Sequence, residues 1–170
     1  MIIILEGNEC NFKTTVAEKL SKQLNLPVVK GSSFENAQCS NQELYEHFLK
    51  LSEMDNVIID RSWISNYVYA TLYKDYAILT PEQRLEIEQR VYDKALLLYL
   101  FADEETIKGR LRERGDEYVE EKMIGTINKV YLEAIDQTEL VVHSFDTNKY
   151  NSNDITKNIV KLNQKEGVGY

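Results

Sequence analysis

Residues 1–15 read MIIILEGNECNFKTT, and the rest of the chain is organised around them. Residues 2–5 are a short β-branched apolar run, the composition of a strand buried in a parallel sheet. The run stops at Glu6 and Gly7, and Lys13, Thr14 and Thr15 open a segment of helical character. Strand, loop and helix in that order, spaced G-x-x-x-x-F-K-T, make a phosphate-binding loop (P-loop) with Phe12 where the motif has its second glycine. A loop of this length wraps its backbone N–H groups around a phosphate at a helix N-terminus. The loop residues are Gly7, Asn8, Glu9, Cys10, Asn11 and Phe12, continued by Lys13, Thr14 and Thr15. Lys13 is expected to reach the β- and γ-phosphates and the Thr14 hydroxyl to hold Mg²⁺.

Glycine serves at position 12 of such a motif because its φ is unrestricted and backbone can approach phosphate closely. Phe12 is therefore expected to take an allowed φ with its ring turned away from the nucleotide, or else to cover the site.

Around this stretch lie 170 residues, enough for one domain with a full core. A hydrophobic content of 43% with only two prolines excludes a disordered chain. No apolar run approaches the ~18 residues that span a bilayer, and Met1 leads straight into the strand without a basic leader. No membrane association is expected. Cys10 and Cys39 lack metal spacing and read as reduced thiols of a cytoplasmic protein. The net charge of −8 argues against a broad basic face, so a nucleic-acid partner is not expected.

Apolar periodicity then alternates along the chain. Helices are expected over 13–25, 42–54, 62–78, from Thr80-Pro81-Glu82 to about 93, and over 104–114, 117–138 and 153–165. Strands are expected over 27–30, 57–59, 95–101 and 140–145. The segment 31–41 reads as loop. Such alternation means an α/β fold: a five-stranded parallel sheet flanked by helices in three layers. No repeat or linker divides residues 1–170.

Ligands of open α/β sheets bind beyond the carboxyl ends of the strands. Asp60-Arg61 ends one strand as the P-loop ends another, so Lys13, Thr14, Asp60 and Arg61 are expected on one rim. An Asp there can accept a proton or hold Mg²⁺ through water. An adjacent Arg can grip a phosphate bidentately. The segment KGRLRERGDE adds Lys108 and the arginines 110, 112 and 114, expected as a small mobile basic lid over 108–118. Arg110 and Arg114 are candidates to stabilise the transferred phosphoryl group, and Arg112 to bind phosphate.

These features together resemble the thymidylate kinase branch of the P-loop nucleoside and nucleotide kinases. The resemblance rests on Glu6, Gly7, Glu9, Lys13, Thr14 and Thr15, and on Asp60, Arg61, Ser65 and Tyr69 with Ser62 in place of a tyrosine. The lid arginines and the segment 130–134 add to it. The resemblance implies ATP and Mg²⁺ as cofactors and a small-molecule nucleotide as acceptor. It implies that Asp60 organises the metal and that Arg61 binds the acceptor monophosphate. Glu9 would contact the sugar 3′-hydroxyl, and Ser65 and Tyr69 would line the base pocket. The family's Arg-Glu-Pro-Gly segment after the second strand is replaced by Lys30-Gly31-Ser32-Ser33-Phe34, where Phe34 could stack on a base or fill the core. A homodimer is possible.

Two alternatives stand beside a monophosphate kinase. In a deoxynucleoside kinase Asp60 would act as base on a 5′-hydroxyl, and fewer cations would surround Arg61. In a non-catalytic nucleotide-binding module Phe12 would mark a degenerate loop. A GTPase switch is excluded, because Asn128-Lys129-Val130-Tyr131 lacks the Asp of a base-reading N-K-x-D motif.

Overall fold

The structure, a computed structural model, describes residues 1–32, 38–115 and 120–166, the last without its side chain. Five strands form one parallel sheet in the order β2-β3-β1-β4-β5. They are β1 (Ile2–Glu6), β2 (Val28–Lys30), β3 (Val57–Asp60), β4 (Ala95–Phe101) and β5 (Val142–Asp146). The helices are α1 (Lys13–Leu24), α2 (Asn41–Ser52), α3 (Trp63–Leu72), α4 (Pro81–Val91), α5 (Glu104–Arg114), α6 (Ile124–Asp136) and α7 (Ser152–Glu166).

Alternation along the strands builds two cores. Ile2 and Ile4 of β1 join Val57, Ile59 and Leu97 on the face covered by α2, α3, α4 and α6. Ile3 and Leu5 join Ile58, Leu96 and Leu98 on the face covered by α1 and α7. The result is the three-layer α/β architecture expected from the sequence. Ala102, Ile107, Leu111 and Ile124 make a smaller cluster that seats α5 on α6. No helix among the described residues is long and apolar enough to cross a membrane.

Register delivers the site. Leu5 pairs with Asp60 across β1 and β3, and Glu6 with Tyr99 across β1 and β4. The loop after β1 and the pair at the end of β3 therefore leave the sheet side by side. Gly7, at φ +141°, turns so close to β4 that a Cβ there would lie 2.0 Å from the Leu100 carbonyl oxygen.

Some elements differ from the sequence expectation. The helix expected over 62–78 ends at Leu72, because Tyr73 is extended (φ −123°, ψ 117°). Asn66 then holds the following turn by donating to the Ala77 carbonyl at 3.1 Å. The helix expected from 117 begins at Ile124 after a short 3₁₀ turn, Glu121–Met123. The last strand starts at Val142, and Leu140 before it packs into the larger core. Thr80 caps α4 as read, accepting from the Gln83 N–H in a capping box.

Candidate active site

The loop after β1 is fixed from behind. Asn8 is buried, and its amide donates to Asn128 Oδ1 at 2.9 Å and to the Ile124 carbonyl at 3.3 Å. Asn128 donates in turn to the Ala102 carbonyl at 3.1 Å, so one chain of hydrogen bonds joins the loop, α6 and the end of β4. Asn11 donates to the Asn8 carbonyl and accepts from the Thr147 hydroxyl at 2.9 Å.

Beneath the loop, Glu6 is fully buried at the end of β1. Its carboxylate accepts from the backbone N–H and hydroxyl of Ser62 and from the backbone N–H of Ser65. The Ser65 hydroxyl donates to the other oxygen. A buried charge needs such partners to persist. This network orients the first turn of α3 and carries Asp60 and Arg61 with it. Ser65 thus faces Glu6 and also meets the Tyr131 hydroxyl at 2.8 Å. It is fully buried and is not part of the wall of the cavity described next.

A cavity of about 320 Å³ opens above these elements. Its walls are Glu9, Cys10, Asn11, Phe12, Lys13, Thr14, Thr15, Asp60, Arg61, Arg110 and Arg114. The structure therefore brings together the loop, the pair after β3 and two of the three arginines of α5. Arg112 points elsewhere: it is exposed and paired with Glu121 at 2.6 Å. Gly7 and Asn8 support the loop from outside the cavity wall. Phe34, like the end of the expected lid, lies outside the described residues.

Electrostatically the cavity centres on Glu9. Its carboxylate pairs with Arg61 and lies 3.6 Å from Arg114. Burial alone would raise the Glu9 carboxyl, but Arg61, Lys13 and Arg114 outweigh it and hold it below its ordinary range. Arg61, at φ +65°, also donates to the Tyr131 hydroxyl at 3.0 Å and lies over the Tyr69 ring at 5.7 Å. Tyr69 is therefore reached through Arg61; burial pushes its hydroxyl up to about 12, so it stays neutral. Lys13 is buried, and that burial, together with Arg61, pushes its ammonium down to about 8. Burial likewise pushes the Cys10 thiol up, which suppresses the reactive thiolate.

Phe12 occupies the left-handed region, φ +66° and ψ 11°, as the N-cap of α1. The chain thus keeps the glycine-like turn and carries a ring in it. That ring lies under Arg110, whose guanidinium carbon is 4.5 Å from its centroid. Arg110 also donates to the Cys10 carbonyl at 3.0 Å and to the Thr147 hydroxyl and carbonyl at 2.8 Å each. These contacts seat Arg110 in the cavity wall. Sequence reading missed Thr147, Asn128 and Tyr131 as site residues. Thr147 follows the carboxyl end of β5, the edge that had already marked Asp60.

Among the described residues no three His, Cys, Asp or Glu side chains cluster to cage a metal. Asp60 Oδ1, however, is buried without a hydrogen-bond partner among them, on the wall that also holds Thr14. This pair fits a hard cation held chiefly by water and phosphate oxygens, the habit of Mg²⁺.

No family model matches the chain. It is 52% identical over 161 residues to the SPβ prophage-derived uncharacterised protein YorR of Bacillus subtilis (strain 168), covering 95% of this chain and 98% of that protein. The crystal structure of Bacillus subtilis YorR in complex with phosphorylated GDP matches with a TM-score of 0.96 and 49% identity, over 100% of this chain and 99% of that one. Deoxyadenosine kinase from M. mycoides, with dCMP and dCDP bound, matches with a TM-score of 0.62 and 18% identity, over 96% and 100% of the two chains. Shikimate kinase from Aquifex aeolicus matches with a TM-score of 0.57 and 16% identity over the whole of both chains. The fold is that of the P-loop kinases.

Proposed function

We propose that this chain, which belongs to the family of the prophage protein YorR, transfers a phosphoryl group from a nucleoside triphosphate to a deoxynucleoside 5′-monophosphate. The observation that carries the reading is the gathering of Lys13, Arg61 and Arg114 around the carboxylate of Glu9, beside the P-loop. A phosphate acceptor arrives as an anion, so its site needs more cations than a hydroxyl acceptor's would. The phosphorylated GDP in the YorR crystal supports a nucleotide ligand.

In this reading the loop amides and Lys13 hold the donor phosphates. Arg61 grips the acceptor phosphate, and Glu9, displaced from Arg61, turns to the acceptor sugar. Arg114 stabilises charge on the transferred group. Thr14 and Asp60 would hold Mg²⁺, which when bound neutralises charge between the donor phosphates. The resemblance favours a pyrimidine such as dTMP or dUMP, and the reduced thiols of Cys10 and Cys39 favour a cytoplasmic setting.

A second reading has one observation in its favour. Asp60 Oδ1 is buried and unpartnered among the described residues, and in a deoxynucleoside kinase it would take the proton of a 5′-hydroxyl. A nucleoside-triphosphate consumption screen over the deoxynucleosides and their 5′-monophosphates decides. Consumption with a monophosphate only supports the first reading, and consumption with a nucleoside only selects the second. Consumption with neither refutes both and leaves a binding module.

A further inference from the structure

We infer that Tyr131 is a positioning residue for the acceptor: its buried hydroxyl sets the Arg61 guanidinium in the orientation that meets an incoming phosphate. This rests on the proposed phosphoryl transfer in taking Arg61 as the acceptor's partner, and it adds the group that aims that arginine.

A buried hydrogen-bond chain of one polarity supports it. The Ser65 hydroxyl has one proton and donates it to Glu6. At its 2.8 Å contact with Tyr131 it therefore accepts, and Tyr131 donates. With its own proton so committed, the Tyr131 oxygen meets Arg61 Nη1 at 3.0 Å as an acceptor. Donation runs one way, from Arg61 through Tyr131 and Ser65 to Glu6, and bonds aligned like this strengthen one another. Burial raises the Tyr131 hydroxyl well above the ordinary tyrosine range, so it keeps the proton that the chain needs.

An independent observation is how the guanidinium divides its donors. Nη1 faces the fully buried Tyr131, whereas Nη2 faces Glu9, which lines the cavity. An anion entering the cavity can replace Glu9 at Nη2 but not Tyr131 at Nη1. The Arg61 backbone is fixed as well. Its N–H donates to the Leu5 carbonyl at 3.0 Å, and its carbonyl oxygen sits so near Gly31 that a Cβ there would lie 2.0 Å away. What is left to set is the rotation of the planar fork, on which two-pronged recognition of phosphate depends. Tyr131 supplies that restraint. The same face of α6 carries Asn128, three residues earlier, which instead contacts Asn8 of the donor loop. Neighbouring side chains of one helix thus serve the two halves of the cavity separately.

Steady-state kinetics of Tyr131→Phe and Asn128→Ala, with ATP and each of dAMP, dGMP, dCMP, dTMP and dUMP, tests this. Tyr131→Phe keeps the ring that stacks on Tyr99 at 6.1 Å and removes only the hydroxyl. It is expected to raise KM for the monophosphate about tenfold, the worth of one hydrogen bond to a charged group, and to leave KM for ATP within about twofold. Asn128→Ala should show the opposite split. In an Arg61→Ala background Tyr131→Phe should add nothing, because it acts through that side chain. Equal changes in both KM values, an undiminished effect without Arg61, or the same acceptor effect from Asn128→Ala would overturn the inference.

A readout without turnover separates it from the function on which it rests. In Glu9→Ala phosphate has no carboxylate to displace. Adding Tyr131→Phe there should cut the rise in melting temperature produced by inorganic phosphate to about half or less. If wild type turns over no monophosphate, the proposed transfer falls and this shift decides the inference. If wild type turns over and the shift is the same with and without the Tyr131 hydroxyl, the inference falls alone. Should Tyr131→Phe fail to fold, Ser65→Ala, which removes the acceptor of the Tyr131 proton, is read on the same terms.

Discussion

The ammonium of Lys13 donates to the carbonyl oxygen of Asn8 at 2.6 Å, inside the loop to which both belong. Burial, with Arg61 beside it, pushes this ammonium down to about 8, while the unfolded chain keeps the proton to about 10.5. Between those values unfolding takes up a proton, so stability rises with pH across that window, and below pH 8 the full cost of the buried charge, on the order of 3 kcal/mol, is present. Lys13→Met is therefore expected to melt higher than wild type at pH 7, with the difference shrinking above pH 8. The same variant should lose turnover. Since the donor requires the charged form, its affinity for wild type should fall by about tenfold per pH unit above 8. Calorimetric titration from pH 7 to 9 checks this, and a flat profile would contradict it.

Glu9 occupies the place proposed for an incoming phosphate. Removing it in Glu9→Ala leaves the half-buried Arg61 without its counterion and should cost about 1–2 kcal/mol. Inorganic phosphate should restore more of the melting temperature in this variant than it adds to wild type, where it must displace the carboxylate. Thermal melts with and without phosphate measure the difference, and equal shifts would argue against an anion site there. Because Glu9 is held below its ordinary 4.5, its ion pairs contribute fully at neutral pH and fade only as pH falls below that value.

Arg61→Ala separates the two halves of the cavity. It is expected to raise KM for a monophosphate acceptor by ten- to a hundredfold, roughly the worth of one charge-assisted pair, with a much smaller effect on the donor. Steady-state kinetics with each substrate varied in turn provides the test. Equal effects on both substrates would remove Arg61 from the acceptor.

Glu6→Ala leaves four donors of Ser62 and Ser65 without their acceptor in a fully buried setting. A loss of about 3 kcal/mol or more is expected, seen in chemical denaturation. Glu6→Gln should cost less, since the Ser65 hydroxyl can rotate to accept from the new amide.

The sheet was legible because strands buried on both faces leave apolar runs, and because the strand ends share one rim. The same logic puts Lys13, Thr14, Asp60 and Arg61 on one rim, and the cavity wall holds all four. It did not separate Arg110 from Arg112. The two residues differ by roughly 200° around a helix, and their partners, Thr147 and Glu121, are chosen by tertiary packing that periodicity does not encode. The bond from Ser65 to Glu6 is hidden for a related reason: spacing near the motif does not reveal that a buried carboxylate needs donors. The helix through 73–78 was overextended because tyrosines continue the apolar spacing past the point where Tyr73 leaves helical backbone. Phe12 takes the left-handed φ of +66°, one of the allowed regions, and which one it takes is set by the turn into α1 rather than by spacing.

The carboxylate of Glu6 ties the foot of the phosphate loop to the first turn of α3. Asp60 and Arg61 lie between the two ends of that tie, so their backbone is held from both sides by one side chain. The two halves of the cavity wall thus share one buried anchor, Glu6, which lines neither of them.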